Sequence, residues 1–125
     1  MMNTKLIGDI GEKLAVKLLK SKKFKILSRN LHKGRNELDI IAQNRDHIVF
    51  VEVKTRTVDD PSKISFEVSA AAAVDGEKKR RTVTAARSYL AENPNSRQQR
   101  FDVIEVYLSR ENMKLIEINH IENAF

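Results

Sequence analysis

The chain has no cysteine, which excludes a disulfide framework and a thiolate zinc site and fits a reducing cytosol. Its three histidines, His32, His47 and His120, have no ligand-like spacing, so none is assigned a metal. Four glycines form no phosphate-cradling loop, which argues against a nucleoside-triphosphatase. Aromatic residues make up only 6% of the chain and tryptophan is absent, so a base-stacking sheet for single strands has no support. No apolar run approaches the roughly 20 residues that span a bilayer. The first turns, with Lys5, Asp9, Glu12 and Lys13, lack the uninterrupted apolar stretch of a secretory signal. The expectation is a cytoplasmic, soluble protein with no membrane partner.

What is present suits one compact domain. The 125 residues are near the commonest domain size, so residues 1–125 are read as a single unit. Hydrophobic residues at 41% supply a core, and charged residues at 32% supply a wet surface. The net charge of +6 suits a polyanionic partner, because each neutralised phosphate releases counterions. It equally suits a merely basic, well-solvated surface.

Lys5 to Lys23 has the periodicity of an amphipathic helix, with Ile7, Ile10, Leu14 and Leu18 as its stripe and Thr4 as its cap. Phe24 to Leu31 reads as a first strand, and His32-Lys33-Gly34-Arg35-Asn36 as a turn whose Gly34 and Asn36 suit positive φ. Glu37 to Gln43 and His47 to Thr55 read as the second and third strands. The third is apolar on both faces, with Ile48 and Phe50 on one and Val49, Val51 and Val53 on the other, as befits a central covered strand. Thr57 to Ser69 is irregular, and Ala70 to Ala73 either begins a helix or packs in a linker. Asp75 to Glu92 is helical again, with Val83, Ala86, Tyr89 and Leu90 inward. Arg100 to Leu108 and Met113 to Ile118 form a closing pair of strands. The fold class is therefore α/β, with a mixed sheet of about five strands flanked by helices.

The chemistry concentrates in Glu12, Asp39, Glu52 and Lys54. Residues two apart on a strand share a face, so Glu52 and Lys54 project together, beside Ile48 and Phe50. Charges on so apolar a strand are costly unless they are paired or bind a metal. If the second and third strands form a hairpin, Asp39 lies beside Glu52, and two such carboxylates repel unless a cation separates them. Hard oxygen ligands with open positions suit Mg²⁺ or Mn²⁺, with the Val53 carbonyl as a further ligand. Lys54 would face the same site and stabilise developing negative charge. Glu12, on a helix surface with Gly8, Gly11 and Ala15, is read either as an outer ligand or as a ligand of a second metal. Against this, Glu-x-Lys alone is a common pattern, and the plain alternative is a salt-bridged pair of Glu52 and Lys54 at a strand end, with Glu12 simply solvated.

Several stretches carry a resemblance. Gly8-Asp9-Ile10-Gly11-Glu12, Leu27-Ser28-Arg29-Asn30, Glu37-Leu38-Asp39-Ile40-Ile41-Ala42 and Val49-Phe50-Val51-Glu52-Val53-Lys54-Thr55-Arg56 occur in that order. Ala73-Val74-Asp75 with Lys78, Arg100-Phe101-Asp102-Val103 and His120-Ile121-Glu122-Asn123-Ala124-Phe125 follow. Together they resemble the YraN-like family of small bacterial proteins, which is similar in turn to PD-(D/E)XK nucleases and archaeal Holliday-junction resolvases. The resemblance implies a restriction-endonuclease-like fold, a metal site at Asp39 and Glu52, Lys54 as the catalytic lysine and Glu12 as the helical acid. It implies a metal-dependent endonuclease acting on DNA, branched or damaged, and a homodimer where both strands are cut. The family usually has Gly-Glu-Ile-Asp where this chain has Asn36-Glu37-Leu38-Asp39, and often a glycine where this chain has Lys23. The stretch from Asp59 to Ser69 fits the family poorly.

Lys78, Lys79, Arg80 and Arg81, with Lys33 and Arg35 in the turn before Asp39, form a basic cluster. They are read as phosphate contacts beside the acidic site, against the plain alternative of a solvated helix face. Arg100 and Asp102 are read as a structural ion pair. The competing function is a nucleic-acid binder of the same fold that does not cut.

Overall fold

The computed structural model describes residues 3–63 and 76–125. The Ala70 to Ala73 run, the motif Ala73-Val74-Asp75 and residues 64–69 of the irregular stretch lie outside the described residues. The elements are α1 (Thr4–Ser21), β1 (Lys25–Lys33), β2 (Asn36–Gln43), β3 (His47–Val58), a 3₁₀ turn (Pro61–Lys63), α2 (Gly76–Glu92), β4 (Gln98–Ser109) and β5 (Leu115–Ile121). The five strands lie in sequence order as one mixed sheet. β1–β2, β2–β3 and β4–β5 are antiparallel, whereas β3 and β4 are parallel, with α2 between them in the chain. The fold is thus α/β, as the pattern of elements predicts.

β3 is central and covered on both faces. Val49 and Val51 join Ala15, Val16 and Leu19 of α1 in one core cluster, while Ile48 and Phe50 join Ala85 and Ala86 of α2 in another. The alternation along β3 therefore sorts its side chains as expected, and each fully buried side chain of this size contributes about 1.5–3 kcal/mol. Among the described residues no helix is long and apolar enough to cross a membrane.

Local details depart from the pattern. The cap of α1 is Asn3, whose side chain accepts the Leu6 N–H at 2.9 Å, so Thr4 stands inside the helix. The buried face of α1 is Gly11, Glu12, Ala15, Val16 and Leu19, with Ile7, Ile10, Leu14 and Leu18 only partly buried along its flanks. Small residues explain the displacement. Gly11 and Ala15 let the helix axis approach the sheet, and the larger side chains spread to either side. In α2 the innermost residues are Thr82, Ala85 and Ala86, and Val83 is only half-buried. Of the two turn residues expected at positive φ, Gly34 adopts it (63°) and Asn36 does not, because Asn36 already pairs with Lys33 in the ladder. Lys23 is left-handed at φ 69°, a conformation that costs a residue with a β-carbon about 1–2 kcal/mol. It is the position where the resemblance implies a glycine.

The motifs Arg100-Phe101-Asp102-Val103 and His120 to Phe125 meet in space. Arg100 donates two hydrogen bonds to Asp102, both at 2.9 Å. The Asn123 N–H donates to the same carboxylate at 3.1 Å, and His120 Nε2 lies 2.6 Å from it. Phe101 stacks between Phe50 and Phe125, with ring centroids 5.4 and 5.2 Å away. Asp102 is fully buried. Burial opposes its charge, but the hydrogen bonds from His120, Arg100 and Asn123 outweigh that and hold the carboxyl below its ordinary range. The ion pair expected from the sequence is thus the centre of a clasp that pins the C-terminal segment to β4.

Gly11 and Gly8 give a paired test of how close α1 sits. A β-carbon at Gly11 would overlap the Thr55 side chain of β3, whereas at Gly8 it would meet nothing within 4 Å. Gly11→Ala should lower stability by about 1–3 kcal/mol through overpacking. Gly8→Ala should raise it by up to about 1 kcal/mol from helix propensity. Urea denaturation of both variants reads the two signs directly.

Candidate functional site

β2 runs beside β3 only from Ile40–Val51 to Gln43–Ile48. Asp39 stands one residue past the last pair, so continuing the register sets it opposite Glu52. The strand's faces also break here. Leu38 and Ile40 are two apart, yet Leu38 packs with the α2 cluster and Ile40 with the α1 cluster. At this break Asp39 Oδ2 accepts a hydrogen bond from the Val53 N–H at 2.9 Å. The carboxylate therefore grips the main chain of β3 next to Glu52.

Crowding has an electrostatic consequence. Burial first, and then the charge of Glu52, push the Asp39 carboxyl up to about 7, although the Val53 hydrogen bond and the Lys78 ammonium pull the other way. Two carboxylates placed this way share a proton or take a cation. Glu52 takes one from the protein itself: Lys78 of α2 lies 3.3 Å from its Oε1. Lys54 stands in register with Glu105 of β4. Glu105 is fully buried, and its Oε1 has no hydrogen-bond partner among the described residues.

Glu12 occupies the other side. Its oxygen Oε1 accepts from Arg29 Nε at 2.9 Å and from Asn30 Nδ2 at 3.0 Å. It is 7% exposed, so the reading of a simply solvated acid is set aside. Asn30 reaches it from a left-handed backbone at φ 50°, which asparagine tolerates better than most residues. A cleft of about 270 Å³ opens there, lined by Asp9, Glu12, Asn30, Asp39, Val53 and Thr55 among others. Glu52 and Lys54 are not among its walls. Asp39 is the link: it stands opposite Glu52 by continued register and shares the cleft with Glu12, whereas Lys54 is placed only by its register with Glu105. Glu12 and Asp39 open to the α1 side, while Glu52 turns toward α2. Among the described residues, no three carboxylate or imidazole groups converge as a ready-made cage for a metal.

Of the basic residues, Lys78 touches the site. Lys33 is engaged by Glu92 at 2.8 Å and Arg80 by Glu77 at 3.7 Å, while the Lys79 ammonium lies 6.0 Å from the Phe125 ring centroid. Arg35, Lys78 and Arg81 line a second, smaller pocket. The sequence reading gave no role to Arg29 and Asn30. Their signal was their place in Leu27-Ser28-Arg29-Asn30, one of the stretches that carry the resemblance.

A small α/β domain with crowded carboxylates at a break in its central sheet is the class that fold and site define. The chain belongs to the uncharacterised protein family UPF0102, whose family model matches residues 11–106. It is 43% identical over 125 residues to a UPF0102 protein of Caldanaerobacter subterraneus subsp. tengcongensis, covering 99% of this chain and 98% of the relative. A UPF0102 protein of Clostridioides difficile is 44% identical across 99% of this chain and all of its own length. One from Dictyoglomus thermophilum is 36% identical over the same shares.

The raised Asp39 carboxyl makes stability depend on pH. An unfolded aspartate has shed its proton by pH 5, whereas the folded site retains one until about pH 7. Folding stability contributed by that proton is complete below the ordinary carboxylate range and is lost as pH rises through about 7. Asp39→Asn keeps an acceptor for Val53 and removes the charge. It should therefore be more stable than the parent at pH 8, on the order of 1 kcal/mol, with the difference vanishing near pH 4. Thermal melts across that range check the sign.

Proposed function

We propose that this protein is a divalent-metal-dependent endonuclease of the PD-(D/E)XK kind that hydrolyses phosphodiester bonds in DNA. The observation that carries the reading is the placement of Asp39 opposite Glu52, where burial and mutual repulsion leave the pair short of positive charge. Asp39, Glu52 and the Val53 carbonyl would hold Mg²⁺ or Mn²⁺. Such ions commonly use one or two carboxylates and complete their shell with water and substrate phosphate, so the absence of a closed cage suits them. When bound, the metal would polarise a phosphoryl oxygen and lower the pKa of water at neutral pH.

The chain's own groups then have separate tasks. Lys54, on the strand that carries Glu52, supplies positive charge for the negative charge that develops at phosphorus. Glu12, fixed by Arg29 and Asn30, borders the cleft as an outer acid that orients water. Lys78 neutralises Glu52 in the resting protein and stands ready for a phosphate. The basic surface steers the polyanion, and branched or damaged DNA is the substrate that the resemblance to resolvases favours. A homodimer would set two such sites on opposite strands, in the cytoplasm.

A second reading has one observation in its favour. Glu52 is already satisfied by Lys78, as a structural ion pair would be, so the fold would serve a nucleic-acid binder that does not cut.

Cleavage of labelled duplex, single-stranded, flap and four-way-junction DNA with Mg²⁺ or Mn²⁺ separates the readings. The nuclease should cut at least one substrate, and Asp39→Ala, Glu52→Ala and Lys54→Ala should each lower the rate by about a hundredfold or more while the protein stays folded. Salt-sensitive binding without cutting, equal in parent and variants, would support the binder instead.

A further inference from the structure

The second pocket lies where the turn between β1 and β2 meets the first turns of α2. It has a volume of about 230 Å³ and is lined by Arg35, Asn36, Glu37, Lys78, Arg81 and Thr82. Three of its walls are cationic and one is anionic, so its net charge is positive. Of the neighbouring basic residues, Lys33 is paired with Glu92 and Arg80 with Glu77. Neither Arg35 nor Arg81 has an ion-pair partner among the described residues. Two arginines that line one small concavity without an ion-pair partner are suited to bind an oxyanion, since the planar guanidinium fork matches its geometry.

Lys78 connects this pocket to the carboxylates. It is a pocket wall, and its ammonium lies 3.3 Å from Glu52 Oε1. It is half-exposed, with 37% of its side chain accessible, so a small rotation of a flexible stem transfers its charge from one side to the other. An anion in the pocket therefore competes with Glu52 for the same cation.

We propose that the pocket of Arg35, Lys78 and Arg81 is a subsite for one nucleic-acid phosphodiester next to the reacting one, and that Lys78 is shared between it and Glu52. Filling the subsite draws Lys78 off Glu52 and leaves the carboxylate pair with more unbalanced negative charge. Nucleic-acid binding thereby prepares the pair for a divalent cation. The proposal rests on the nuclease reading for the identity of its partner, whereas the pocket and its charge do not depend on cleavage.

The test uses the full chain, isotopically labelled, titrated by NMR with a thymidine dinucleotide that carries one phosphodiester and, separately, with thymidine. Saturable shifts at Arg35, Lys78, Arg81 and Thr82 are expected with the dinucleotide and not with the nucleoside. Arg81→Ala should weaken binding about three- to fivefold, the scale of a partly exposed charge contact, while Arg87→Ala, an exposed basic residue further along α2, should not. Glu52→Gln, which releases Lys78, should tighten binding about twofold or more. Shifts spread evenly over the lysines of α1, an equal loss in Arg81→Ala and Arg87→Ala, or an equal response to thymidine would overturn the subsite. Unchanged affinity in Glu52→Gln would overturn the sharing of Lys78. Dinucleotide binding at this pocket in a protein that cuts no DNA would leave the subsite standing and dispose of the nuclease reading.

Discussion

Everything at the centre of this molecule follows from setting Asp39 against Glu52 where β2 leaves β3. Two carboxylates in a half-buried position repel, and water does not screen them as it would at the surface. The protein eases the conflict with what lies in reach. The Val53 N–H donates to Asp39, a retained proton moderates its charge, and the Lys78 ammonium balances Glu52. None of these removes the crowding. A domain selected for stability alone would place apolar side chains at such a point, because isosteric apolar replacements of buried charge are often neutral or stabilising.

The rest of the fold is arranged around that point. α1 reaches the sheet closely because Gly11 has no side chain to hold it off Thr55. That approach delivers Glu12 to the rim of the cleft, where Arg29 and Asn30 of β1 fix it. α2, packed through Ala85 and Ala86 on the opposite face, brings Lys78 to Glu52 and Arg81 to the pocket beside it. The clasp of Arg100, Asp102 and His120 joins β4 to the C-terminal segment and keeps Phe101 stacked on Phe50, the residue two places before Glu52. Helices on both faces thus supply one charged group each to the same break in the sheet.

The elements that were legible in the sequence are those governed by simple periodicity. The apolar run on both faces of β3 gave away its central position, and the parity of Glu52 with Phe50 placed Glu52 on the face that α2 covers. What was not legible depended on contacts between distant segments. The inward face of α1 could not be read from its largest residues, because packing turned the helix toward its smallest. The carboxylate of Asp39 could not be placed by strict alternation, because the faces of β2 break at that residue. Lys23 shows the reverse case. A backbone at positive φ invited glycine, and the chain keeps lysine there. The partners of Glu12 lie in a strand 17 and 18 residues away, and only the folded chain brings them together.

The most direct test of the central claim is calorimetric titration of the protein with Mn²⁺ at pH 8, alone and without nucleic acid, beside Glu52→Gln. If the crowded pair is a cation site, the parent should bind one ion per chain, and the variant should lose that binding. No measurable binding in the parent, or equal binding in both proteins, would mean that Asp39 and Glu52 were set together for some other purpose.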